Sequence, residues 1–171
     1  GASLGRPVSP GSYRGAEAAT SGNLIAVRRL DGNSRRSLSV VDATRGTDVR
    51  IAATGSEMSP RWSPDGQSLL FFGGGTGARG LYVKQMRSTR DPELVLAATA
   101  QTTLNATDWS SDGRFVIYEA SAPATGTDIW SLPMTGSTHE PTPLLQTPFN
   151  EGQAVLSADG KWMAYTSDES G

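Results

Sequence analysis

One stretch of this 171-residue sequence has the spacing of a phosphate-binding loop: Gly75-Thr-Gly-Ala-Arg-Gly80, a literal G-x-G-x-x-G after the strand-like run Leu69 to Phe72. In a dinucleotide fold such a loop opens a helix whose N-terminal amides hold the pyrophosphate. Here the next residues, Leu81-Tyr-Val83, read as a strand, and the lysine of a nucleoside-triphosphate loop is missing. The glycines are therefore read as a hairpin loop, and no nucleotide cofactor is expected. His139 is the only histidine, so any Ser-His-Asp relay or histidine metal site would have to use it. It lies in the polar stretch Thr135-Gly-Ser-Thr-His-Glu-Pro141, and no G-x-S-x-G elbow supplies a nucleophile, so it reads as a solvated loop residue.

Carboxylates recur as Asp108, Asp112 and Asp128 near the ends of strand-like runs, and as the pair Asp168-Glu169. Paired carboxylates can hydrolyse glycosides or bind calcium, but the dense ligand spacing of a calcium loop is missing and turn or capping roles are expected. Arg28-Arg29 and Arg35-Arg36 form the basic concentration. They suit either an acidic or phosphorylated partner or the protection of a sheet edge against pairing. Asn105-Ala-Thr107 matches a glycosylation sequon. No set of catalytic, cofactor or metal residues is assembled from these groups, so a chain that is not an enzyme is expected, with its ligand-binding residues unidentified.

The elements that would carry these residues are visible as a repeat. Trp62-Ser-Pro-Asp-Gly66, Trp109-Ser-Ser-Asp-Gly113 and Leu156-Ser-Ala-Asp-Gly160 place Asp65, Asp112 and Asp159 at intervals of 47 residues. The flanks repeat too: Ser68-Leu-Leu-Phe71 aligns with Phe115-Val-Ile-Tyr118 and with Trp162-Met-Ala-Tyr165. A strand-filled period of this length belongs to propeller blades. Asp-Gly supplies the positive φ of a tight turn between the first and second strands of each unit. Leu81-Tyr-Val83 and Asp128-Ile-Trp-Ser-Leu132 give a third strand, and Glu93-Leu-Val-Leu96 and Pro143-Leu-Leu145 a fourth. Setting Gly22 on Gly66 reveals a degenerate earlier copy with strands at Asn23-Leu-Ile-Ala-Val27, Ser37-Leu-Ser-Val-Val41 and Asp48-Val-Arg-Ile51, its first strand falling between Tyr13 and Thr20. Trp62 and Trp109 should fill the gap between facing blades. The expected fold is all-β, a partial β-propeller of about three and a half four-stranded meander blades: residues 13–54, 55–99, 100–148 and a half blade 149–171, after a flexible lead-in of residues 1–12.

Composition narrows the partners. Fifteen Lys and Arg against 17 Asp and Glu give a net charge of -2, so no global basic field recruits nucleic acid. No apolar run approaches the roughly 20 residues of a membrane helix, so no membrane insertion of this chain is expected. The absence of cysteine excludes disulfides and fits any redox compartment.

The Trp-Ser-Pro-Asp-Gly repeats resemble those of the TolB-like propeller superfamily. Thr107-Asp-Trp-Ser-Ser-Asp-Gly-Arg-Phe-Val-Ile-Tyr118, Thr127-Asp-Ile-Trp-Ser-Leu-Pro133, Leu145-Gln-Thr-Pro-Phe-Asn-Glu151 and Ala164-Tyr-Thr-Ser-Asp-Glu-Ser-Gly171 resemble the C-terminal propeller of bacterial, acidobacterial-type, membrane-anchored serine/threonine kinases. Leu156 and Ala158 depart from the pattern, as does most of the first unit. The resemblance implies a fragment of a sensory or docking domain in the periplasm or elsewhere outside the cytoplasm, and none of the kinase's catalytic motifs is in this chain. The expected function is a non-catalytic interaction or scaffolding module for a protein or peptide. The alternative is the substrate-gating propeller of a prolyl-oligopeptidase-like peptidase, and a third reading is a propeller glycosidase working through carboxylates such as Asp108 and Asp128. An arc of three and a half blades would leave apolar faces open, so a homodimer completing the arc, through residues 149–171 and the first blade, is also expected.

Overall fold

The computed structural model of the chain describes residues 12–20, 22–30, 36–55, 57–74, 77–123, 126–136 and 138–170. Residues 1–11 of the expected lead-in, Arg35, and Gly75 with Thr76 of the glycine loop lie outside the described residues.

The described residues form strands and no helix. Strands β1 (Ser12–Ala18), β2 (Leu24–Leu30), β3 (Arg36–Asp42) and β4 (Thr47–Gly55) make one antiparallel sheet in sequential order. Strands β5 (Met58–Trp62), β6 (Ser68–Gly73), β7 (Gly80–Gln85) and β8 (Glu93–Ala97) repeat it, as do β9 (Thr103–Trp109), β10 (Phe115–Ala122), β11 (Gly126–Pro133) and β12 (Thr142–Leu145). Strands β13 (Glu151–Leu156) and β14 (Met163–Ser167) form a two-stranded hairpin. The fold is thus an all-β partial propeller of three meander blades and the first hairpin of another. The first strands β1, β5, β9 and β13 approach one another in series and line its inner side.

The stacking follows from the second strand of each blade. In β6 every residue from Leu69 to Gly73 is buried, although strand side chains point alternately to opposite faces. Leu69 and Phe71 pack backwards with Trp62 onto Ala26, Leu38 and Val40 of blade one. Leu70 and Phe72 pack forwards onto Leu104, Val116 and Tyr118 of blade three. In β10, Val116 and Tyr118 face back while Ile117 faces forward, meeting Ala154 and Met163 of the half blade.

The Ser-x-Asp-Gly motif is a self-contained turn. Gly66 N–H donates to the Ser63 carbonyl at 2.8 Å, and Ser63 N–H donates to the Ser68 carbonyl at 2.9 Å, closing a four-residue loop. Ser63 Oγ accepts from Ser68 N–H at 2.9 Å and donates to Asp65 Oδ1 at 2.6 Å, and the same carboxylate oxygen accepts from Gln67 N–H at 2.9 Å. The bonds recur around Ser110 and Asp112 and around Ser157 and Asp159. Only the glycine of each turn takes a positive φ, 67°, 74° and 68° at Gly66, Gly113 and Gly160, so the aspartate acts through its side chain rather than its backbone. In blade one, Ala19 N–H still donates to the Leu24 carbonyl at 2.9 Å, but alanine has no hydroxyl to lock the loop.

The two tryptophans differ, against the expectation that both are buried. Trp62 is 5% exposed: its Nε1–H donates to the Glu17 carbonyl at 3.0 Å, and its backbone N–H to Glu17 Oε1 at 2.9 Å. Trp109 is only half-buried, and its Nε1–H donates within its own hairpin, to the Gly113 carbonyl at 3.2 Å. The place of Glu17 is held in the next blade by Arg61, whose guanidinium turns to Glu17 and to the Thr107 carbonyl and makes no bond to Trp109, which stays half-buried against the core between blades two and three. Replacing Trp62 by Ala should therefore cost about 3–5 kcal/mol. Trp109→Ala should cost less, about 1–3 kcal/mol. Urea denaturation of the two variants checks this, and equal losses or the reverse order would contradict the assigned packing.

Candidate functional site

The repeated acids of the turns are structural groups. Two backbone and hydroxyl donors, from Arg114 and Ser110, and the Arg114 side chain hold the Asp112 carboxyl down to about 2, and the equivalent Ser157 and Lys161 donors lower Asp159. Asp108 is not a turn cap as expected. Its Oδ2 accepts from Leu156 N–H of the half blade at 2.7 Å, as Glu17 in blade one accepts from Trp62 N–H of blade two. Each carboxylate therefore ties the end of one inner strand to the next blade. Asp168 accepts from Asn150 N–H and from its Nδ2–H, both at 2.7 Å, closing the half blade's open end.

A second polar line crosses three blades further along the inner strands. Ser59 Oγ–H of β5 donates to Asn105 Oδ1 of β9, Asn105 Nδ2–H donates to Glu119 Oε2 of β10 at 2.7 Å, and Glu119 Oε1 accepts from Gln153 N–H of β13. Ser59 and Gln153 sit at inner-strand bulges with φ of 51° and 55°, which aims these groups across the seams. Asn105, the residue of the sequon, is half-buried with its amide engaged at both ends.

Asp128 also departs from expectation. It is 3% exposed inside β11, and Glu151 opposite it is 3% exposed in β13. Among the described residues Asp128 Oδ1 and Glu151 Oε2 have no hydrogen-bond partner, while Glu151 Oε1 accepts from Thr147 Oγ1–H. Burial raises the Asp128 carboxyl above 3.8, the Gln146 side chain opposes this, and the charge of Glu151 adds to it.

Arg28, Arg29 and Arg36 do not lie on a sheet edge, since β2 and β3 are interior strands. Arg28 and Arg29 lie on β2, an interior strand; Arg28 donates to the Arg14 carbonyl at 2.9 Å, while Arg29 pairs with Asp48 and lies 5.3 Å from the Tyr13 ring centroid. The glycine loop leads into a strand, and a side chain at Gly80 would fall 2.1 Å from the Leu96 carbonyl oxygen, so glycine is required there by the close approach of β8. His139 is half-buried, its Nδ1–H donating to the Pro133 carbonyl at 2.7 Å.

What the sequence reading missed is a groove of about 740 Å³ between blades one and two. Arg45 and Arg50 border it from blade one, and Lys84, Arg87 and Arg90 from blade two, with Leu24, Ile51 and Met86 among its apolar lining. Two tight turns aim these groups. Asp42 Oδ1 accepts from Thr44 N–H at 2.9 Å and Arg45 N–H at 3.0 Å, while Ser88 N–H donates to the Gln85 carbonyl at 3.1 Å and Lys84 Nζ donates to the carbonyls of Ser88 and Arg90. No local signal reveals this site, because its cations are scattered singly over some 45 residues.

The Asp128 shift sets a sign for pH dependence. A carboxyl whose pKa is higher folded than unfolded favours the folded state at low pH, and that contribution is lost as pH rises from 3.8 through the raised folded value. Asp128→Asn should remove this loss. Its melting temperature should exceed that of the parent at neutral pH, with the gap closing below pH 3.8. Thermal scans across pH check this, and a constant gap would refute the assignment.

No protein-family profile matches the chain, and no curated protein sequence does. Solved structures match its fold. TolB from Acinetobacter baumannii superposes with a TM-score of 0.71 at 21% identity, over 91% of this chain and 37% of that one. A putative TolB from Agrobacterium tumefaciens gives 0.71 at 19% identity over 87% and 52%, and the β-propeller domain of the Trilobed protease from Pyrococcus furiosus 0.61 at 15% over 87% and 46%. The chain thus spans about a third to a half of the length of these proteins, and its fold is that of part of a β-propeller like theirs.

Proposed function

We propose that the chain is a non-catalytic interaction module, the sensory or docking part of a receptor-like serine/threonine kinase acting outside the cytoplasm. The observation that carries the binding reading is the groove between blades one and two, an open concavity whose bordering Arg50, Arg87 and Arg90 make no side-chain hydrogen bond or ion pair among the described residues. In contrast, Asp108, Asp112, Asp168 and His139 all hold the scaffold together. A rigid stack that presents loops is the usual arrangement for recognition. The kinase association rests on the strings from Thr107 to Gly171. The likeness to the Trilobed protease propeller keeps the substrate-gating reading as the alternative. The parent reading frame separates the two: a kinase domain and membrane helix upstream support the first, a downstream hydrolase domain the second.

Selection from a random phage-displayed peptide library should enrich a consensus that binds the purified chain saturably. A turnover that survives purification and vanishes with Asp108→Asn would overturn the non-catalytic reading.

We also propose that two chains associate through residues 149–171. Trp162, Val155 and Tyr165 of the half blade are 75%, 54% and 45% exposed. In blade one, Val27 and Val41, which alternate with the residues packed on blade two, are buried, so the open apolar face belongs to the half blade. Light scattering at micromolar concentration should give twice the 18.0 kDa chain mass, and a monomer with a cooperative melt would refute the association.

A further inference from the structure

We infer that the groove between blades one and two docks an extended acidic peptide, one that alternates carboxylates with apolar side chains. The inference rests on the binding-module reading and names its site and partner chemistry. Five cations border the groove, Arg45, Arg50, Lys84, Arg87 and Arg90, against two acids, Asp42 and Asp91. In a chain of net charge -2, that local excess is a feature of this place and not of the whole surface. The two acids leave most of it unpaired, since Asp91 forms no salt bridge with any of the five cations among the described residues. Asp42 is engaged by its own turn and meets Arg45 only at 3.4 Å, with the Arg45 side chain 80% exposed. Lys84 is occupied by the carbonyls of Ser88 and Arg90 and serves to shape the loop. Arg50, Arg87 and Arg90 therefore stand exposed on two walls, with no acid paired to any of them among the described residues. Guanidinium groups are suited to bidentate pairing with carboxylates, and pairing is stronger in a concavity than on an open surface.

The lining decides between classes of anion. Leu24, Ile51 and Met86 give the groove an apolar component that accepts aliphatic side chains, as an alternating peptide would present on the face opposite its next residue. No aromatic side chain among the described residues lines it, whereas single-stranded nucleic acid is held by stacking of its bases on aromatic rings. A bilayer surface cannot enter a groove bounded by two blades. The volume of about 740 Å³ is that of a site for a short segment and not for a folded domain.

The test uses the whole chain and a short fluorescein-labelled peptide alternating Glu and Leu, read by fluorescence anisotropy. Saturable binding that weakens with added salt is expected, with at least about a tenfold loss in the triple variant Arg50→Glu, Arg87→Glu, Arg90→Glu. The triple Arg→Gln variant, which keeps the side-chain length and removes the charge, should show an intermediate loss. Both variants alter exposed side chains, and an unchanged urea midpoint shows that the fold is intact. Equal binding of a Lys-Leu peptide, tighter binding of an oligothymidylate, or undiminished Glu-Leu binding by the charge-reversed variant would each overturn the inference. If the chain binds its phage-selected peptide and that binding survives charge reversal, the groove inference fails while the module reading stands. If neither the selected nor the acidic peptide binds, both fail.

Discussion

Each blade has a second strand that is apolar on both of its faces, and this constraint governs the rest of the structure. A sheet that carries Leu69, Leu70, Phe71 and Phe72 in one unbroken buried run cannot be stable with either face in water. At about 1.5–3 kcal/mol for each large side chain buried, the seams between blades outweigh any contact within a single blade. The same logic explains why exposure rises in the half blade, where Ala164 and Tyr165 are open although the equivalent Ile117 and Tyr118 of blade three are buried.

Apolar seams hold blades together but do not fix their offset along the strands. The directional bonds that do so sit at the inner strands: Glu17 to the backbone of Trp62, Asp108 to that of Leu156, and the line from Ser59 through Asn105 and Glu119 to Gln153. A carboxylate accepting a backbone N–H across a seam makes a charge-assisted bond that a shift of one residue would break. Asp128 and Glu151 occupy the seam between blade three and the half blade without complete satisfaction, and leaving such buried oxygens unpaired is costly. At that seam the raised Asp128 carboxyl opposes folding as pH rises, the reverse of the lowered turn carboxyls such as Asp112.

The turns at the two edges of the groove show how a rigid scaffold leaves its loops free to differ. The turn at Asp42 and the loop from Gln85 to Arg90 are closed by their own hydrogen bonds, so the arginines they carry are not needed to hold either blade in place. Loop sequence can then vary at the rim while the stack stays constant.

Much of this was legible in the residues themselves. The strand alternation, the turn glycines and the 47-residue interval are local properties of the chain, and they determined the all-β class, the blade repeat and the meander order of strands. The Ser-x-Asp-Gly turn is readable for the same reason, since its partners lie within five residues of one another. The burial of Asp128, the unequal cover of Trp62 and Trp109, the interior place of Arg28 and Arg29, and the groove were decided only by tertiary structure. Trp62 is covered by Glu17, 45 positions back in the preceding blade, Asp128 is buried beside Glu151 of the following hairpin, Arg28 and Arg29 meet partners on β1 and β4 of their own sheet, and the groove joins two blades. Glu17 and Arg61 occupy matching places in successive blades, yet one covers a tryptophan and the other turns aside. A periodic sequence specifies that such places meet, and the chemistry of the meeting depends on which two side chains the stacking brings together.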